Sequence, residues 1–187
     1  KSKPGFECCA GAINGMLVWI ERPSELECDT AQCGSSKFFC GRKHKFGLNL
    51  QGTCDSEGCF LDVCIAHPAS TSDYLSFSTS SLKNKLEMPG FLAEGLCIFG
   101  DNAYINCSYM ATPYRNVASG SKDNYNHYHS QLHIQIECAF SMLVNRWGIL
   151  QQALSTKLGL KKTTSLAMCL CQLHNYCIDS RLEAGEQ

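Results

Sequence analysis

Apolar side chains recur along this chain in two rhythms, and the change from one to the other divides it. Continuous or alternating apolar runs at 10–20, 45–52, 59–66 and 95–101, separated by turn material such as Cys54-Asp55-Ser56-Glu57-Gly58, predict strands. From 124 to 147 the rhythm is helical. Leu132, Ile136, Ala139, Phe140, Leu143 and Trp147 form one stripe to be buried, with Glu137 off it, in line with His133 and Ser141. Leu166, Leu170, Leu173 and Cys177 give a last amphipathic helix, over 161–181, the same period. Earlier, Ser70-Thr71-Ser72-Asp73 has the spacing of a capping box before Tyr74, Leu75 and Phe77. This predicts a helix over 72–86, with Asp73 as its cap and Pro89-Gly90 after its end. Strands, a crossover helix, one late strand and terminal helices describe an α/β fold: a mixed sheet with helices on both faces.

Composition narrows the setting. The chain has 187 residues, 44% of them hydrophobic, enough for the core of one domain. A net charge of −1 and a pI near 6.6 argue against a protein that holds nucleic acid by its own charge, because that affinity comes mainly from Lys and Arg displacing counterions. Fourteen cysteines could mean a disulfide scaffold, but no signal peptide is visible and many cysteines lie within apolar patterns such as Cys169-Leu170-Cys171. Reduced, mostly buried thiols are expected. No apolar run reaches the ~18 residues of a membrane span. The start at Lys1 rather than Met reads as a fragment of a longer protein.

Two carboxylates stand where charge is costly. Asp101 closes the run Leu96-Cys97-Ile98-Phe99-Gly100, and Glu137 lies inside the helical stretch 132–140. A strand-end acid and an acid on an apolar helix suit a hard divalent cation, which wants oxygen ligands on rigid elements. A third ligand is expected from an earlier strand, and the run 10–20 offers only the amide of Asn14. Taken singly, Asp101 is a turn residue, Glu137 a solvated helix residue, and Asn14-Gly15 a hairpin signal, although apolar residues on both sides favour a continuous strand. His129, His133 and Glu137 at successive i+4 steps invite a zinc reading, but one helix cannot close a tetrahedral site. His174 reads as a hydrogen-bonded packing residue. The basic cluster Lys37, Arg42, Lys43, His44 and Lys45 is expected to split between strand faces rather than form one patch.

Six blocks occur in a telling order: Gly11-Ala12-Ile13-Asn14-Gly15, Cys40-Gly41-Arg42-Lys43, His67-Pro68-Ala69-Ser70-Thr71-Ser72-Asp73, Gly100-Asp101-Asn102-Ala103-Tyr104, Ile136-Glu137-Cys138-Ala139-Phe140 and Leu173-His174-Asn175-Tyr176. From about residue 8 to 179, the chain resembles the DDE superfamily endonuclease domain of Harbinger-type transposases and the nucleases derived from them. Residues 1–7 and 180–187 would then flank that domain. The resemblance implies a ribonuclease-H-like fold in which two Asp and one Glu bind a divalent metal, Mg²⁺ or Mn²⁺, and cut or join DNA. Asp101 matches the second acid and Glu137 the third, so these two are the implied metal ligands. Asn14 stands in the place of the first catalytic Asp. His133, Gln135, Gln151 and Gln152 stand where the family pattern carries basic residues. The implied function is a metal-dependent DNA endonuclease or transposase domain, a hydrolase impaired at Asn14. The alternative is a catalytically inactive relic or a domesticated interaction module, so enzyme status stays open. The resemblance also implies the nucleus, DNA bound weakly by this domain alone, and targeting by a separate DNA-binding domain or partner protein.

Overall fold

The first apolar run becomes β1 (Cys9–Trp19), and the other strands assemble around it. A computed structural model of the chain describes residues 7–157 and 159–183. On one side β1 pairs antiparallel with β3 (Lys45–Cys54), which pairs antiparallel with β4 (Phe60–Pro68). On the other it pairs parallel with β5 (Cys97–Gly100), and β5 pairs parallel with β6 (Met110–Ala111). The two-residue β2 (Phe39–Cys40) forms a hairpin with the start of β3. The result is a six-stranded mixed sheet flanked by helices, consistent with the ribonuclease-H-like fold. Asn14-Gly15 lies within β1, so the hairpin alternative falls.

Side chains along β1 alternate between two cores, as the period of a strand requires. Ala12, Val18 and Ile20 join the larger cluster, which includes Ile136, Ala139, Phe140 and Leu143 of α4 (Ser121–Arg146) and Ala167, Leu170 and Cys171 of α5 (Leu160–Glu183). Ile13 turns to the opposite face and packs with Phe77 of α2 (Asp73–Ser78), Leu82 and Leu86 of α3 (Ser81–Leu86), and Tyr104 and Met110. A short α1 (Glu25–Thr30) follows β1, closed by a capping box between Ser24 and Glu27; this helix and β2 carry no periodic signal in the sequence. Phe140 packs onto the backbone of Gly52, where a Cβ would meet its ring at 2.9 Å, so the missing side chain lets α4 approach the sheet closely.

Three expectations need correction. The helix over 72–86 is two helices: Ser80 accepts a hydrogen bond from the Lys83 amide and restarts the chain after Thr79. The buried stripe of α5 has a different phase from the expected one. Thr163, Ala167, Leu170, Cys171, His174 and Ile178 are buried, while Leu166 and Leu173 are exposed. Small side chains at 163, 167 and 171 suit close packing, and His174 is drawn inward because the carbonyl of Gly58 takes its Nε2 at 3.2 Å. The cysteines are all free, as expected, but only Cys28, Cys54 and Cys171 are buried. No helix among the described residues is long and apolar enough to cross a membrane.

Candidate functional site

β1 and β5 run parallel with Ile13 opposite Gly100, so Asn14, in the middle of β1, and Asp101, just past the end of β5, come side by side. Asn14 shares its face of the sheet with Ala12, and Asp101 shares its face with Phe99, whose ring packs on His129 of α4. Both therefore look toward α4. There an open cleft of 730 Å³ is lined by Asp101 and Asn102 on the sheet side and by His129, His133 and Glu137 on the helix side. A second cleft, of 590 Å³, shares Glu137 and adds Asn14, Asp73, Arg42 and Lys43. Glu137 is thus the common wall of the two.

Two buried histidines fix α4 against these strands. His133 Nε2 bonds the carbonyl of Ile13 at 3.1 Å, the residue before Asn14. His129 Nε2 bonds the carbonyl of Ala111 at 3.2 Å. A carbonyl only accepts, so each bonded nitrogen carries its proton. The two rings stack with centroids 6.1 Å apart and planes 15° apart. Burial pushes His129 below the ordinary imidazole value, the carbonyl of Ala111 opposes this, and His133 adds to it. One turn on, Glu137 Oε1 lies 3.9 Å from His133 Nδ1, its side chain 59% exposed. The line 129, 133, 137 is therefore a brace ending in an acid. It gives the zinc reading no support, because among the described residues no three ligating side chains converge there.

Asp73 departs from its expected role. Ser72 is the cap of α2, its side chain accepting from the Leu75 amide. The Asp73 carboxylate instead accepts from Asn49 Nδ2 at 3.0 Å and Gln51 Nε2 at 2.8 Å, and Gln51 Oε1 in turn accepts from the Tyr104 hydroxyl at 2.6 Å. Burial, then the charges of Asp73 and Asp101, push the Tyr104 hydroxyl well above its ordinary value and keep it a donor. The carboxylate lies over Gly15, where any Cβ would collide with it. Polar residues at alternate positions of an otherwise buried β3 are the signal for this network. That alternation does not name the partners, Asp73 and Tyr104, which lie more than twenty residues away in the chain.

The donors can be weighed against a divalent ion. Asp101 Oδ1 accepts from the Ala103 amide at 2.8 Å, which orients the carboxylate and leaves its other oxygen for a ligand. Glu137 is solvated and lines the same cleft. Asn14 Oδ1 accepts from the Gly15 amide at 2.7 Å, and its amide nitrogen is only a donor. Among the described residues, no group of three or more His, Cys, Asp or Glu side chains is arranged to hold a metal. Two carboxylates and a neutral carbonyl oxygen fit one hard cation at reduced charge; they do not supply the anionic bridge of a two-ion centre, whose ions sit ~3.5–4 Å apart.

Comparison with known proteins bears on this arrangement. The family described as "DDE superfamily endonuclease" matches residues 13–175, a span that holds Asn14, Asp101 and Glu137. The chain is 25% identical over 180 residues to "Putative nuclease HARBI1" of Bos taurus, covering 96% of this chain and 48% of that one. It is likewise 25% identical over 187 residues to "Protein ALP1-like" of Arabidopsis thaliana, covering 94% of this chain and 44% of the other. The chain thus spans about half the length of the curated relatives it matches. No solved structure matches it.

Proposed function

Because this chain belongs to the DDE superfamily of endonucleases, we propose that residues 8–179 form the nuclease domain of a Harbinger-type transposase or a protein derived from one, acting on DNA phosphodiesters with impaired cleavage. The observation that carries this reading is the placement of Asn14 and Asp101 side by side, each one residue beyond the last pair of parallel β1 and β5, beneath an α4 that carries Glu137. In this reading Asp101 and Glu137 hold a Mg²⁺ or Mn²⁺ ion. A bound ion of this kind polarises a phosphate oxygen and makes its water a better nucleophile. The chain does the rest. The Ala103 amide fixes the Asp101 carboxylate, His133 sets the height of α4 and so of Glu137, and Asn14 offers an N–H donor to a phosphate oxygen where an acid would repel it. Nuclear localisation, and targeting by a separate DNA-binding domain or partner protein, belong to the same proposal.

A second reading, a catalytically inactive relic or domesticated interaction module, is favoured by one specific fact: a neutral side chain occupies the first acid's place. The two part on one substitution. Asn14→Asp is nearly isosteric and restores the charge, so it should raise Mn²⁺-dependent nicking of plasmid DNA from little or none to a measurable rate. That gain should vanish when Glu137→Gln is added. Silence from Asn14→Asp under conditions where an active relative cuts would select the inactive reading, and vigorous cleavage by the unaltered protein would refute the missing-ligand argument.

A further inference from the structure

The second cleft is lined by the acids Asp73 and Glu137 and by two cations; Asp73 is already engaged by Asn49 and Gln51, and the metal site gives the cations no role. Cys40 pairs with Lys45, so Gly41 to His44 form the turn between β2 and β3; His44 takes a left-handed conformation there, with φ 53°. The turn takes Arg42 and Lys43 out of strand alternation. Both line the cleft that also holds Asn14 and Glu137. The expectation of a basic cluster split between faces therefore fails for this pair. Both side chains are exposed, and among the described residues neither has a hydrogen bond, ion pair or ring contact. Other cations near the sheet are committed: Lys45 lies over the ring of Trp19, Arg146 donates to the His174 carbonyl, and Arg115 donates to that of Asn102. The sequence has no acid between Asp29 and Asp55 to neutralise the turn, although the whole chain carries a net −1.

We infer that Arg42 and Lys43 form a subsite for the phosphate backbone of DNA, gripping the strand beside the phosphodiester that faces Asn14, Asp101 and Glu137. Unpaired exposed cations beside a cleft suit a polyanion, whose binding they favour by releasing its counterions. Repeating charge is the reason to name a backbone rather than a single small anion: one cleft brings two cations together with the amide donors of Asn14. The amide at position 14 helps here, since it removes a negative charge from the path of the strand. Duplex DNA is the form proposed, because the cleft is open and its two aromatic rings are already engaged, Trp19 beneath Lys45 and Phe140 against Gly52, so neither is free to stack single-stranded bases.

This subsite presupposes the DNA-directed reading above, so its test is made without metal or cleavage. Binding of a fluorescein-labelled duplex of about twenty base pairs is followed by anisotropy in EDTA, over a salt series starting at low ionic strength. The unaltered protein should bind weakly, with an affinity that falls steeply with salt. Arg42→Ala/Lys43→Ala should bind less tightly, with a salt slope shallower by about 2, roughly one unit for each cation withdrawn from a phosphate. Lys161→Ala/Lys162→Ala, on α5 and outside the cleft, should keep the original slope. An unchanged slope in the first variant, an equal loss in the second, absence of DNA binding by the unaltered protein, or equal competition by an acidic polypeptide would each overturn the subsite. A shallower slope in Arg42→Ala/Lys43→Ala together with silence from Asn14→Asp would keep the subsite and remove the nuclease.

Discussion

Asn14 and Asp101 differ in one functional group, yet the register of β1 and β5 treats them as equivalents. That equivalence makes the charge at each position testable alone. Calorimetric titration with Mn²⁺ should show weak binding that disappears in Asp101→Ala, because among the described residues two carboxylates line the first cleft, and survives in Asp62→Ala, which lines a separate pocket with Lys85. Binding unchanged in Asp101→Ala would move the ion elsewhere. The positions of Asn14, Asp101 and Glu137 are legible in the sequence because strand runs, their ends and helix phase are local properties. The histidine brace is half legible: the i+4 spacing shows His129, His133 and Glu137 sharing a line, but only the sheet beneath reveals that two of them face carbonyls. Arg42 and Lys43 escape a strand-based reading because the chain makes a turn there, and side chains on a turn do not alternate.

At the scale of elements, α5 shows why period alone is not phase. Leu166, Leu170 and Leu173 fit a helical repeat as well as Ala167, Leu170 and Cys171 do, and the larger side chains give the stronger signal. Packing favours the smaller ones. Asn175 brackets Phe60 with bonds to both its amide and its carbonyl, each 2.8 Å, and the Trp147 indole donates to the Leu170 carbonyl at 3.0 Å, so the rotation of α5 is pinned at several points. Ala167→Leu should therefore overpack the interface and cost about 1–3 kcal/mol in urea denaturation. Leu173→Ser on the outer face should change stability by less than about 0.5 kcal/mol. The reverse ranking would restore the stripe read from the sequence. The strands are the more legible elements: their apolar runs lie within a few residues of their true ends, whereas β2 and α1 are too short for any period to show.

For the molecule as a whole, two buried imidazoles couple stability to pH. Burial lowers both His129 and His174, with Arg146 adding to the effect at His174. Below the ordinary imidazole value of 6.5, the unfolded chain takes up protons that these two folded side chains refuse, so stability falls as the pH falls through that region. Each contributes at most about 1.4 kcal/mol per pH unit. The melting temperature should thus drop between pH 7 and 5, and His174→Gln should flatten the decline while lowering stability at neutral pH; a profile equally steep in that variant would assign the effect to carboxylates. The contact between Asn14 and Gly15 has a slower consequence for the population of molecules. The nitrogen of Gly15 donates to the oxygen of the neighbouring amide at 2.7 Å; a succinimide ring closes only when that nitrogen attacks the side-chain carbonyl carbon instead, and what delays closure is the extended shape that β1 imposes. Each opening of the strand lets some rings form, and their hydrolysis yields two products. Aspartate returns an acid to the middle of β1, beside Asp101. Isoaspartate adds a methylene to the backbone and throws the ladder with β3 and β5 out of step. A stored solution therefore sorts itself into molecules that have regained a ligand and molecules that have lost a strand.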